Sequence, residues 1–374
     1  MKNYEYSLMA PGPVNIHPEV RKILSEPMIH HRTPEFDEIL ASALEKIKLV
    51  FKTVQPVYLL TATGSGGMEC LLVNTLSPSD AVLCVVSGKF GERWAQMAKT
   101  FGAQVDEIHV PWGQAVSPLA VAEKLKEKKY AAVLTQACET STGILHSIEE
   151  LGKIVHAHPE TLLLVDGITA LGALPLPMDL WHIDGLVGGS QKAFMLPTGM
   201  SFVSFSEKAQ HKFDTAKMPR FYFDIRKKKK ANLQGQTFFS SNVSLIKALN
   251  FVLKQIEQQG LENLFAENKR RSDFTAEILK LLDLKSYAQV KSPSLTAILM
   301  PDSVDGQKVR SDIEKNFNLT LMGGQDQEKG KIIRVGHMGY ILDSELLQLA
   351  DALFQTLKQH HCQFNMDHET YMKH

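Results

Sequence analysis

Between residues 57 and 205 the chain keeps changing its hydrophobic period. Short apolar runs at 57–61, 81–87, 105–110, 131–136, 162–166 and 200–205 are separated by segments with apolar residues at helical spacing, at 68–76, 92–101, 120–128 and 148–158. Runs this short and this apolar predict strands buried on both faces, and so a parallel or mixed sheet with helices on either side. In such a fold the carboxyl ends of the strands share one edge, where ligands bind. Thr63-Gly64-Ser65-Gly66-Gly67, Ser87-Gly88-Lys89-Phe90-Gly91, Glu139-Thr140-Ser141-Thr142-Gly143, Asp166 and Ser190-Gln191-Lys192 all fall at predicted strand ends.

The flanks complete an α/β chain of two domains. An arm at 1–17 contains Ala10-Pro11-Gly12-Pro13, where prolines and glycine stop regular structure. A large domain at 18–258 follows, with an amphipathic helix at 35–51 and a strong helix at 243–258. A smaller α+β domain, 259–374, holds predicted strands at 292–299 and 332–336 and helices at 306–316 and 343–358. Lys227-Lys228-Lys229-Lys230 reads as a solvated connection.

Composition narrows the function. The 41 basic residues balance 41 acidic ones among 374, so no net field favours nucleic acid or an anionic membrane. No apolar run approaches the roughly 20 residues that cross a bilayer, and Met1-Lys2-Asn3-Tyr4-Glu5-Tyr6 lacks a signal peptide's apolar core. Cys70, Cys84, Cys138 and Cys362 have no metal-type spacing and read as thiols of a reducing, cytoplasmic compartment. Neither His30-His31 nor His360-His361-Cys362 supports a metal site, and no Gly-x-Ser-x-Gly elbow is present.

Lys192 follows Gly188-Gly189-Ser190-Gln191 at the end of an apolar run. A desolvated lysine has a lowered pKa, which frees its amine to form an imine with an aldehyde. Asp166 ends another apolar run, where a buried carboxylate needs a partner. That partner is either a protein hydrogen-bond donor or a protonated pyridine nitrogen, and the second choice points to pyridoxal 5′-phosphate. Thr63-Gly64-Ser65-Gly66-Gly67 opens a helix after a strand and offers backbone N–H groups to a phosphate. It is otherwise a tight turn without a ligand; as a dinucleotide fingerprint it fails, because Glu69 takes the third glycine's place. Phe90 is core filler or a ring that stacks on a flat ligand. Arg334, inside Lys331-Ile332-Ile333-Arg334-Val335-Gly336-His337, pairs with a protein acid or with a substrate carboxylate.

Taken together, these motifs resemble the class V, fold-type I, aminotransferases that use pyridoxal phosphate, and among them the alanine–glyoxylate and serine–pyruvate (serine–glyoxylate) aminotransferases. The likeness runs from Pro11-Gly12-Pro13 to Arg334-Val335-Gly336-His337-Met338-Gly339 and takes in Met28-Ile29-His30-His31-Arg32-Thr33-Pro34, Gly91-Glu92-Arg93-Trp94 and Glu139-Thr140-Ser141-Thr142-Gly143. It implies that Lys192 forms the imine and carries the proton, and that Asp166 holds the pyridine nitrogen. By the same likeness Phe90 stacks on the ring, Thr140 reaches its phenolic oxygen, and Gly64, Ser65, Gly66 and Gln191 hold the phosphate. Gly12 and Arg334 would contact the substrate, Arg334 through its α-carboxylate. In Thr237-Phe238-Phe239-Ser240, Thr237 and Ser240 would complete a dimer partner's phosphate site, although the phenylalanines depart from the family's usual pattern. Small amino and 2-oxo acids such as alanine, serine, glyoxylate and pyruvate are the implied substrates. The rivals are a cysteine desulfurase or lyase, an aspartate- or phosphoserine-type transaminase, and a homologue without catalysis.

Overall fold

Alternation along the buried strands decides the architecture. Leu162 and Leu164 sit in one apolar cluster while Leu163 and Val165 sit in another. Val82, Cys84 and Val86 likewise face the first cluster, and Leu83 and Val85 the second. A period of two with both faces apolar is that of a sheet with helices on each side.

The structure, a computed structural model, describes residues 6–364 and 367–373. Seven strands form the large sheet: β1 (Val57–Leu60), β2 (Ala81–Val86), β3 (Gln104–His109), β4 (Ala132–Gln136), β5 (Leu162–Asp166), β6 (Gly185–Gly189) and β7 (Ser201–Phe205). Their order is β1-β7-β6-β5-β4-β2-β3. β7 runs antiparallel to both its neighbours, and every other pair is parallel. The expected mixed, mostly parallel α/β sheet is present.

Three helices pack against this sheet. α1 (Pro34–Phe51) starts with Pro34 in its first turn and the Thr33 side chain as cap, and buries Phe36, Leu40, Ala43 and Ile47. α2 (Gly64–Thr75) and α3 (Lys89–Thr100) begin directly after β1 and β2. The lysine run is not a solvated loop but lies in α4 (Ile225–Asn232). The Asp224 side chain accepts from the Arg226 N–H, and the buried Ile225 anchors the first turn. A cap and one apolar anchor outweigh the repulsion of four exposed or half-exposed lysines.

α5 (Val243–Gln259) and α6 (Leu261–Leu281) lead to the smaller unit. The domain boundary expected at 258 falls at the end of α5. Leu261 and Phe265 of α6 still pack in the large core, whereas Ile278 and Leu279 pack in the small one. The small sheet has the order β8 (Lys285–Ser286), β9 (Leu295–Leu299), β11 (Ile332–Gly336) and β10 (Met322–Gly323), all antiparallel. The N-terminal arm joins the two units. Ser7 and Leu8 pair with Leu319 and Thr320, and the Gly336 N–H donates to the Met9 carbonyl at 2.7 Å.

Candidate active site

Lys192 leaves the sheet just beyond β6 in a turn locked by its neighbours. The Ser190 hydroxyl donates to the Pro197 carbonyl at 2.7 Å, and the Met195 N–H donates to the Lys192 carbonyl at 2.9 Å. The Lys192 amine is buried and donates to the Pro11 carbonyl. Gly12 has φ +129°, and a Cβ there would sit 2.5 Å from the Lys192 Nζ. Only glycine lets the arm cross the amine at this distance. Burial pushes the Lys192 pKa down to about 8, with Arg334 adding to the fall and Asp166 opposing it.

Asp166 ends β5 beside Gln136 of β4. One of its oxygens accepts the Ile168 N–H at 2.8 Å. Burial, then the nearby Glu139 carboxylate, raises its pKa to about 6, while Lys192 and Arg93 pull it down. A cation held against this carboxylate would restore its ordinary acidity.

The loop Glu139–Gly143 ties the remaining parts together. The buried Glu139 carboxylate accepts the Phe90 and Gly91 N–H groups at 3.0 Å each, the Ser141 N–H at 3.1 Å, and the Ser141 hydroxyl. The N-cap of α3 is Gly88, which has no side chain, so Glu139 caps that helix from another loop and holds Phe90 at its first turn. Thr140 shares a 2.7 Å hydroxyl bond with Thr169 and gives its carbonyl to Arg334 Nη1 at 2.9 Å. Beneath it, Ser87 receives the Gln136 amide at 2.9 Å and the His146 ring at 2.8 Å. The His146 Nδ1 accepts the Val116 N–H, so its proton lies on Nε2, and burial lowers its pKa to about 4.

Arg334 is buried in β11 with no carboxylate partner among the described residues. Its Nε and Nη2 donate to the Gly323 carbonyl at 3.0 and 2.8 Å. Burial lowers its pKa to about 10, so it stays cationic at neutral pH. The loop after it is fixed by Arg271, which donates to the carbonyls of His337, Gly339 and Ile341.

At the other end, Thr63 gives α2 no side-chain cap, so its first N–H groups are those a helix leaves unpaired. A Cβ at Gly64 would lie 2.3 Å from the Ile168 side chain, which fixes this helix end against the loop after Asp166. The Gln191 amide oxygen is sealed from solvent without a hydrogen-bond partner among the described residues.

These features fit pyridoxal phosphate: a desolvated amine, a raised carboxylate, an aromatic at a fixed helix end, an uncapped helix N-terminus and a buried guanidinium without an ion-pair partner among the described residues. The model of the class V aminotransferase family matches residues 17–332. The chain belongs to the class V aminotransferases. It is 37% identical to the L-aspartate–glyoxylate aminotransferase of Paracoccus denitrificans, over 91% of this chain and 88% of that one. A Synechococcus protein named soluble hydrogenase, small subunit, is also 37% identical, over 94% and 93%. Among solved structures, the alanine–glyoxylate aminotransferase of Nostoc superposes with a TM-score of 0.91 at 30% identity, over 94% of this chain and 95% of that one. The protein is a pyridoxal-phosphate-dependent transaminase that acts on amino and 2-oxo acids.

Of the site residues read from sequence, Phe90 and Ser65 are joined through Arg93, Thr140 is bonded to Arg334, and Gly12 lies against Lys192, with the Asp166 carboxylate near enough to Lys192 to oppose the fall in its pKa. Thr237 and Ser240 stand apart from these. Thr237 lines a small cavity with Leu60, Met200 and Lys228, its hydroxyl sealed and unpartnered among the described residues, while Ser240 is exposed. Sequence reasoning assigned no role to Glu139 or Arg93, whose partners lie 48 and 28 residues away. No helix among the described residues is long and apolar enough to cross a membrane.

Proposed function

We propose that this enzyme moves an amino group from alanine or serine to glyoxylate or pyruvate, in a ping-pong cycle with one substrate bound at a time. The observation that carries the reading is the state of Arg334. A guanidinium has five N–H donors, and three of these are spent on Gly323 and Thr140. Two N–H groups are left, one on each Nη, which matches the two oxygens of an α-carboxylate.

When bound, pyridoxal phosphate accepts electrons from the substrate's Cα and alternates between its aldehyde and amine forms. Lys192 would hold the cofactor's aldehyde and serve as the base for the Cα proton; a pKa near 8 suits a base working near neutral pH. Asp166 keeps a proton on the ring nitrogen. Phe90 and Thr140 fix the ring's plane and its phenolic oxygen. Gly64, Ser65, Gly66 and Gln191 hold the phosphate, and Gly12 keeps the arm close over the amine. Ser240, exposed on its loop, would contribute from the neighbouring subunit of a homodimer, whereas Thr237, sealed inside its own protomer, would only support that loop. Buried free thiols at Cys70, Cys84 and Cys138 support a cytoplasmic setting.

The aspartate donor named for the Paracoccus relative supports a second reading, in which the donor is acidic. A desulfurase is less well supported, because burial raises the pKa of every thiol here and disfavours the thiolate that attacks sulfur. Single-turnover conversion of the cofactor by alanine, serine, aspartate and glutamate separates these. Alanine or serine should be fastest by tenfold or more. Fastest conversion by aspartate would move the assignment to the acidic donor, and equally slow conversion by all four would overturn it.

A further inference from the structure

We propose that Arg93 is the cationic member of the phosphate site, and that it binds the cofactor's phosphate directly beside Ser65. The inference rests on placing that phosphate at the Thr63–Gly67 turn.

Arg93 lies one turn after Phe90 in α3. Its Nη1 donates to the Ser65 hydroxyl at 2.9 Å, and its guanidinium carbon lies 4.7 Å from the centre of the Phe90 ring. The side chain therefore spans from the aromatic platform to the second residue of α2. It forms no ion pair among the described residues, whereas Arg226, Arg270, Arg271 and Arg310 all have a carboxylate partner. Its bond to Ser65 at the start of α2 and its place over Phe90 at the start of α3 put it at the edge of the sheet where both helices begin. A half-buried guanidinium held at a helix N-terminus without an acid is arranged for an anion that arrives from outside.

Charge balance leads to the same place. A phosphate monoester carries about −1.5 to −2 at pH 7, and a helix N-terminus offers the equivalent of about +0.5. Gly64, Ser65, Gly66 and Gln191 are neutral, so without Arg93 this chain leaves most of the phosphate's charge uncompensated. The 2.9 Å bond also sets Ser65. Its oxygen accepts from Arg93, which leaves the hydroxyl proton free to point at a phosphate oxygen.

The test compares pyridoxal phosphate with pyridoxal, which lacks the phosphate, binding to cofactor-free protein. Binding is read from the imine absorbance that Lys192→Ala removes. Arg93→Met should weaken pyridoxal phosphate about ten- to hundredfold and leave pyridoxal within about twofold, with Arg93→Lys in between. Inorganic phosphate should compete for the wild type and fail to compete for Arg93→Met. Equal losses for both aldehydes would show that Arg93 only backs the Phe90 ring and would overturn the proposal. Gly66→Val, which crowds the turn against Ala62 and Phe223, separates the two readings. If it alters the preference for pyridoxal phosphate and Arg93→Met does not, only the Arg93 assignment falls. If neither alters it, the phosphate lies elsewhere and both fall.

Discussion

Lys192 shows how a single residue acquires chemistry from its surroundings. Its amine is the nucleophile only when deprotonated, and burial brings its pKa from the usual lysine range to about 8. Cofactor capture by the cofactor-free enzyme should therefore speed up as pH rises and level off a little above 8. A rate still climbing nearly tenfold per pH unit between about pH 8.5 and 9.5 would mean an ordinary, solvated lysine. Gly12 is the second case. A side chain there must adopt φ +129° and meet the Lys192 amine, so Gly12→Ala should lose about 1–3 kcal/mol of stability and most of the imine absorbance. Equal urea midpoints for variant and wild type would refute this. Both residues stood out in the sequence, Lys192 by its setting and Gly12 by its motif. The distance between them did not, because the arm and the strand lie 180 residues apart.

At the scale of elements, the helix that carries Phe90 is capped by a residue it does not contain. Glu139 takes the Phe90, Gly91 and Ser141 N–H groups into one buried carboxylate. Removing it leaves several buried donors unpaired, each worth about 1–3 kcal/mol. Glu139→Ala should thus lower stability by about 3 kcal/mol or more and weaken pyridoxal phosphate and pyridoxal alike, since the ring platform loosens. Glu139→Gln keeps an acceptor for Phe90 and Gly91 and should recover most of the loss. Melting of Glu139→Ala at the wild-type temperature would dismiss the cap. The strands and helices of the sheet were legible because each declares its own period within a few residues. The cap was not, because its two halves lie in different strand-end loops and share no local pattern. The lysine run misled for a related reason. Its charge suggested solvent, but the buried Ile225 and the cap at Asp224 decide the conformation of α4.

At the scale of the molecule, a homodimer with Ser240 acting across the interface would make the proposed site depend on a second copy. Phe221, Phe238 and Met28 are exposed apolar side chains around the segment that holds Ser240, and Lys227 lies over the rings of Phe221 and Phe238. Exposed apolar side chains gathered near Ser240 are what an association face there would cover. In a two-fold dimer each active site would take Lys192 from one protomer and Ser240 from the other. Ser240 is exposed, so Ser240→Trp should fold normally while obstructing the neighbour's phosphate; Lys192→Ala removes the base in its own protomer. Each variant alone should be nearly inactive. Mixed and allowed to exchange, half the dimers pair one of each, and in those a single site combines an intact Lys192 with an intact Ser240. Activity should return to roughly a quarter of the wild-type value, the statistical limit for random pairing. Activity no greater than the sum of the two parents, with exchange verified by mass, would place Ser240 in its own protomer's site or in none.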